Sequence, residues 1–146
     1  MTETTVAVIA GSKSDQAITD EASKALTELG VAHEVHFISA HRNPEKLKKF
    51  VGSSKARVFI AVAGLSAHLP GVVASMTTRP VIGVPVAVKL NGLDSLLSIV
   101  QMPPGVPVAC VGVDNGRNAG ILAAEIVALE DNRVGEKIAK LRDSWR

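Results

Sequence analysis

The chain has 146 residues, a length that suits one domain whose 47% hydrophobic content can build a core without disulfides or metal. Sixteen basic against 14 acidic side chains, with no polybasic run, and aromatics limited to Phe37, Phe50, Phe59 and Trp145, exclude a nucleic-acid surface built on charge and base stacking. A lone cysteine, Cys110, excludes a disulfide framework, points to a reducing compartment and, inside the apolar run 106–113, reads as a core residue.

No apolar stretch reaches the roughly 18 residues that span a bilayer, and residues 1–5 lack a basic segment leading into an apolar one. A soluble cytoplasmic protein with no membrane partner is expected.

Residues 6–10, Val-Ala-Val-Ile-Ala, form a continuous apolar run ending at Gly11, the pattern of a strand buried on both faces of a parallel sheet. From Ser14 the period becomes helical. Ala17, Ile18, Ala22, Ala25, Leu26 and Leu29 share one face, Asp20, Glu21, Lys24 and Glu28 the other, and Gly30 supplies the stop. A second strand over residues 35–38 leads to a helix that Pro44 opens and that runs through Leu47 to Val51. The third unit has a strand over 58–63, a turn at Gly64 and a small-residue helix from His68 to Met76. Pro80 opens a fourth strand, 81–84, and Gly92-Leu93-Asp94-Ser95 leads into a helix carrying Leu96, Leu97, Ile99 and Val100. Pro103-Pro104-Gly105 stops it. The fifth strand spans 108–113, followed by the loop Asp114-Asn115-Gly116-Arg117-Asn118, a helix over 119–129 and an amphipathic helix over 133–145.

Five short apolar strands alternating with helices predict an α/β fold: a three-layer α/β/α sandwich around a parallel sheet with right-handed crossovers. No repeat or linker divides the chain, so residues 1–146 read as a single domain.

In such a fold ligands bind at the carboxyl ends of the strands. Gly11-Ser12-Lys13-Ser14-Asp15 joins the first strand to the first helix, so its hydroxyls and amides face that crevice at the positive end of a helix dipole. That suits a phosphate; the plainer alternative is a turn in which Ser14 or Asp15 caps the helix. Neither dinucleotide nor nucleotide-loop glycine patterns match. After strand two, Arg42 can add bidentate contacts to a phosphate held at Ser12, and His41 beside it has an unperturbed pKa suited to proton transfer. The alternative there is a polar loop capping the next helix. His68 lies after strand three, where it lines the same crevice or caps the helix start. His33 and His36, three residues apart on a strand, point to opposite faces and cannot chelate one metal. With one cysteine and no clustered carboxylates, no metal site is expected. Asn118 and Gly120 mark a close backbone approach, either packing or another crevice wall.

Four segments match one family in order and spacing: Gly11-Ser12-Lys13-Ser14-Asp15, Ser39-Ala40-His41-Arg42-x-Pro44, Ala67-His68-Leu69-Pro70-Gly71, and residues 92–103, Gly-Leu-Asp-Ser-Leu-Leu-Ser-Ile-Val-Gln-Met-Pro. Over nearly its whole length the chain resembles N5-carboxyaminoimidazole ribonucleotide mutase, a catalytic subunit of purine biosynthesis. The resemblance implies a flavodoxin-like fold, a homo-octamer with active sites between subunits, no cofactor, and a substrate carrying ribose 5-phosphate. It implies that Ser12, Ser39 and Arg42 hold the phosphate, that Asp15 bonds the ribose hydroxyls, and that Ser14 and Ala40 join the binding set. His41 becomes the single general acid-base, while Gly64, Ala67, His68 and Leu69 wall a pocket that traps CO2 during decarboxylation and recarboxylation. A coupled ATP-dependent carboxyaminoimidazole ribonucleotide synthetase is the partner the resemblance implies.

Where bacterial mutases read Ala-Gly-Gly-Ala-Ala-His, this chain has Ala63-Gly64-Leu65-Ser66-Ala67-His68, a bulkier Leu65 near the CO2 site. Asn43 stands in place of a frequent threonine. Three other readings compete: direct carboxylation of aminoimidazole ribonucleotide by CO2, which Leu65 and Ser66 invite; a carboxylase of a nicotinate-type mononucleotide, which leaves residues 92–103 unexplained; and a non-catalytic module binding a phosphorylated ligand. The animal-type direct carboxylase carries Ser-Ala-His-Lys and Gly-Arg-Ser-Asn, and neither occurs here. Arg42 and His68 favour the mutase.

Overall fold

The computed structural model describes residues 5–146; residues 1–4, on which the expectation of no leader rests, lie outside them. Five strands, β1 (Val6–Ala10), β2 (His33–Phe37), β3 (Val58–Ala63), β4 (Val81–Pro85) and β5 (Ala109–Cys110), form one sheet of order β2-β1-β3-β4-β5. Every neighbouring pair is parallel. Between them run α1 (Gln16–Glu28), α2 (Pro44–Ser53), α3 (Leu69–Ser75), α4 (Leu93–Val100), α5 (Gly116–Ala128) and α6 (Asn132–Asp143).

Strand side chains alternate between two cores because successive Cβ atoms point to opposite faces. Val6, Val8, Ala10, Val58, Ile60 and Val62 pack with α1, α5 and α6 through Leu26, Ala123 and Ile138. Ala7, Ile9, Phe59 and Ala61 pack with α2, α3 and α4 through Leu47, Val73 and Ile99. β1 and β3 are buried on both faces, as their continuous apolar runs require. At the second core's lower rim the Arg79 guanidinium donates to the carbonyls of Val51, Ser54 and Ala56 at 3.0, 2.7 and 2.6 Å, closing the carboxyl end of α2. The opposite faces expected of His33 and His36 are observed. His33 bonds Ser23 of α1 at 2.6 Å, and the His36 ring lies 4.3 Å from Phe50 of α2.

Five expectations need correction. α1 starts at Gln16, not Ser14, because Lys13–Asp15 forms a tighter 3-10 turn. That turn is capped by Ser12, whose Oγ accepts the Ser14 N–H at 3.2 Å; Asp15 occupies the cap position of α1, and neither its side chain nor that of Ser14 caps. β5 is two residues rather than six: it lies at the sheet edge, pairs only with β4, and follows Pro107, which has no N–H to donate. Cys110 on that edge is consequently half-buried instead of a core residue, and burial alone pushes its thiol up. α5 begins at Gly116, earlier than expected, because Asn115 Oδ1 accepts the Asn118 N–H at 2.9 Å.

Gly120 resolves as packing. A Cβ there would lie 2.6 Å from the Ala22 carbonyl oxygen, and one at Gly116 only 2.2 Å from that of Ile18. α1 and α5 therefore touch backbone to backbone. Among the described residues no helix is long and apolar enough to cross a membrane.

Candidate active site

The strand order reverses between β1 and β3: β2 lies on one side of β1, and β3, β4 and β5 on the other. The loops leaving β1 and β3 part at that point and open a crevice above the sheet. A cavity of about 390 Å³ occupies it. Its size suits a small ligand held by a few polar groups.

Three chain segments supply its polar wall. After β1, Gly11, Ser12, Ser14 and Asp15 line it. The Ser14 hydroxyl donates to Ser12 Oγ at 3.1 Å, so the two hydroxyls sit together. After β2, Ser39 Oγ accepts the Arg42 N–H at 3.1 Å and the Ser39 carbonyl accepts the Asn43 N–H at 3.0 Å. This turn raises Ala40, His41 and Arg42 onto the cavity rim. The Arg42 guanidinium has no ion-pair partner among the described residues, so its fork is available to an anion across from the Ser12 turn. After β3, Gly64, Leu65, Ser66 and Leu69 complete the ring.

His41 and His68, 27 residues apart in sequence, meet here. Nε2 of His41 lies 2.7 Å from Nδ1 of His68, with the ring centroids 4.8 Å apart and nearly perpendicular. One nitrogen donates and the other accepts, so a single proton is held between two imidazoles at the cavity edge. That arrangement can pass a proton to or from a ligand in the cavity.

The anticipated wall is therefore only partly a lining. Gly64 and Leu69 face the cavity, whereas Ala67 is 1% exposed and lies buried behind it, and His68 reaches the site through His41. Gly64 lets Val88 pack close, because a Cβ there would lie 2.6 Å from Val88 Cγ2 and displace that side chain. Val88, exposed at the end of β4, closes the remaining side. Sequence reasoning did not single it out, although its place just beyond a strand's carboxyl end is the signal that marks such residues. No three His, Cys, Asp or Glu side chains converge to hold a metal among the described residues.

The family model described as AIR carboxylase matches residues 5–146. The chain belongs to the AIR carboxylase family. Within curated members, it is 57% identical over 141 residues to an N5-carboxyaminoimidazole ribonucleotide mutase of Methanocaldococcus jannaschii, covering 97% of this chain and 90% of that one. It is 47% identical over 145 residues to the protein of that name from Thermotoga maritima, covering 97% of this chain and 85% of the other. The solved structure of Treponema denticola PurE superposes with a TM-score of 0.86 at 26% identity, covering 97% of this chain and 91% of that one. The flavodoxin-like arrangement expected from the sequence is the one observed.

One carboxyl of this family member stands apart electrostatically. Burial first, and the Asp114 carboxylate second, push Asp15 above its ordinary value of 3.8. A carboxyl raised in the folded state adds most stability below 3.8 and loses that contribution as pH rises through its folded value. Ionised Asp15 is thus held at a cost to folding at neutral pH. Asp15→Asn is expected to raise the melting temperature at about pH 7, with the advantage fading toward about pH 3. Thermal melts of both proteins at the two pH values check this; a variant less stable at neutral pH contradicts it.

Proposed function

We propose that this protein converts N5-carboxyaminoimidazole ribonucleotide to 4-carboxy-5-aminoimidazole ribonucleotide in purine biosynthesis, as an isomerase moving one carboxyl group within the molecule. The observation that carries this is the convergence, on one cavity, of a hydroxyl-rich helix entrance, an unpaired arginine and a proton-sharing imidazole. Relatives named for that reaction, identical at about half of all positions, support it further.

In this reading Ser12, Ser39 and Arg42 take the 5-phosphate, with Ser14 and Ala40 beside them and Asp15 accepting from the ribose hydroxyls. The phosphate's charge meets the guanidinium and the amino end of the Ser12 turn. The carbamate N–C bond then breaks, its electron pair returns to nitrogen, and His41 delivers a proton there. The freed CO2 is held beside Gly64, Leu69 and Val88. Ring carbon C4 attacks it, and the C4 proton returns to the same imidazole as aromaticity is restored. One proton leaves and one is regained, so no external acid or base is consumed. His68 bonds His41 and orients the ring between these transfers. Containment and positioning of a small neutral intermediate are the main tasks of such a site.

Leu93, Leu97 and Val100 form an exposed apolar stripe on α4, at 54%, 47% and 42% exposure, and α4 follows Gly92, which packs against Ala87, the residue before Val88. Such spacing on a solvent face marks a protein contact. We infer that copies of this chain associate through it, placing a neighbour at the cavity mouth; the family resemblance supplies the number, eight. One domain, a cytoplasmic location, no cofactor and supply of the carbamate by an ATP-dependent synthetase complete the proposal.

The test is a paired assay of the purified protein with N5-carboxyaminoimidazole ribonucleotide and with aminoimidazole ribonucleotide plus bicarbonate, followed by ultraviolet absorbance of the 4-carboxy product. Rapid turnover of the carbamate with little use of the second mixture is expected. Efficient use of CO2 would instead favour direct carboxylation and put Leu65, exposed at the cavity mouth, at the centre of the difference.

A further inference from the structure

The pocket wall formed by Val88 is held from outside by a residue that does not line the cavity. Asp114 ends β5's continuation. Its backbone N–H donates to the Pro85 carbonyl at 2.8 Å, and its Oδ1 accepts the Ala87 N–H at 2.9 Å. The same stretch is anchored on its other side. The Val86 N–H donates to Ala63 at 3.0 Å, and the Ser95 hydroxyl donates to Gly64 and Val86 carbonyls at 2.6 and 2.9 Å. The two loops also interlock at Gly92, where a Cβ would fall 2.6 Å from Val113 Cγ1 and 3.3 Å from Ala87 Cα. Asp114 adopts φ +58, a left-handed conformation that Asn and Asp tolerate better than most residues.

We propose that Asp114 is a positioning residue for the isomerase site, its carboxylate fixing Ala87 so that Val88 seats on Gly64. Without the acceptor, the Ala87 amide loses its only anchor on that side, and Val88 is free to lift from Gly64. The role rests on the isomerase reading of the cavity that Val88 closes.

The experiment compares Asp114→Asn with Asp114→Gly in the intact protein, using the carbamate substrate. Asparagine keeps the acceptor and the left-handed backbone but removes the charge; glycine keeps the backbone and removes both. For Asp114→Gly, KM is expected to rise about tenfold, the equivalent of about 1.4 kcal/mol, with a smaller fall in kcat. The Ala87 amide should lose its protection against hydrogen exchange. For Asp114→Asn, KM should stay within about threefold of the unmodified protein and that amide should stay protected, because the acceptor is retained. A glycine variant with unchanged KM and a protected Ala87 amide overturns the positioning role. An asparagine variant whose KM rises as far as that of the glycine variant overturns it too, because the acceptor is retained. Should the glycine variant not fold, Val88→Ala decides: an unchanged KM there overturns the role, since the wall that Asp114 seats would be dispensable. If the unmodified protein turns over no carbamate, the isomerase reading fails, while the Ala87 exchange result still decides the positioning role.

Discussion

Replacing His41 with asparagine is expected to reduce turnover by about 10³-fold or more while substrate affinity changes by less than about tenfold. An amide can keep a hydrogen bond to His68 and roughly fill the ring's place, but it cannot carry a proton. The proposed reaction uses that proton twice, once at the exocyclic nitrogen and once at C4. The groups proposed to bind phosphate, Ser12, Ser39 and Arg42, lie on the same cavity and stay intact, so binding should persist. Calorimetric titration together with steady-state rates separates the two effects. Turnover within tenfold of the original would remove His41 from the proton transfers and make His68, 2.7 Å away, the group to examine. A protein in which the substitution leaves both binding and biological role intact would instead be a phosphorylated-ligand-binding module.

The second large effect lies outside the cavity. Gly120→Ala places a methyl group 2.6 Å from the Ala22 carbonyl oxygen and 2.9 Å from Ala25 Cβ, where neither helix backbone can yield locally. α1 and α5 must separate, and both are anchored in the first core through Ala22, Leu26, Ala119 and Ala123. Overpacking of this kind costs about 1–3 kcal/mol, and a backbone obstacle argues for the upper end. The denaturation midpoint at fixed protein concentration should fall accordingly, by roughly 5–10 °C on heating. Because α1 begins one residue after Asp15, KM should rise as well. An unchanged midpoint would mean that the helices part without loss, contrary to the contact described.

Much of this was legible in the chain because its signals are local. β1 and β3 have the expected bounds, since a five- or six-residue apolar run between turn residues needs no distant information to be recognised. Gly30 ends the first βα unit at φ +73, as a helix stop should. The hydroxyl-rich turn at residues 11–15 and the Ser39–Arg42 segment were legible for the same reason: each is one short loop whose chemistry is written in consecutive residues.

What the sequence determined by itself, then, was the alternation of strands and helices, the residues of each strand-end loop, and the family they resemble. Only the tertiary structure decided which loops meet. The order β2-β1-β3-β4-β5 brings the first three loops together at one switch point, adds Val88 from the fourth, and sets Asp114 behind it from the fifth. The same packing cut β5 to two residues, because an apolar run at a sheet edge has one partner strand rather than two. It also joined His41 to His68 and buried Ala67, which adjoins His68 in sequence but lies beneath the cavity floor. Periodicity and turn chemistry act within a few residues, whereas these contacts arise from burying both faces of the whole sheet at once, a condition no short window of sequence contains.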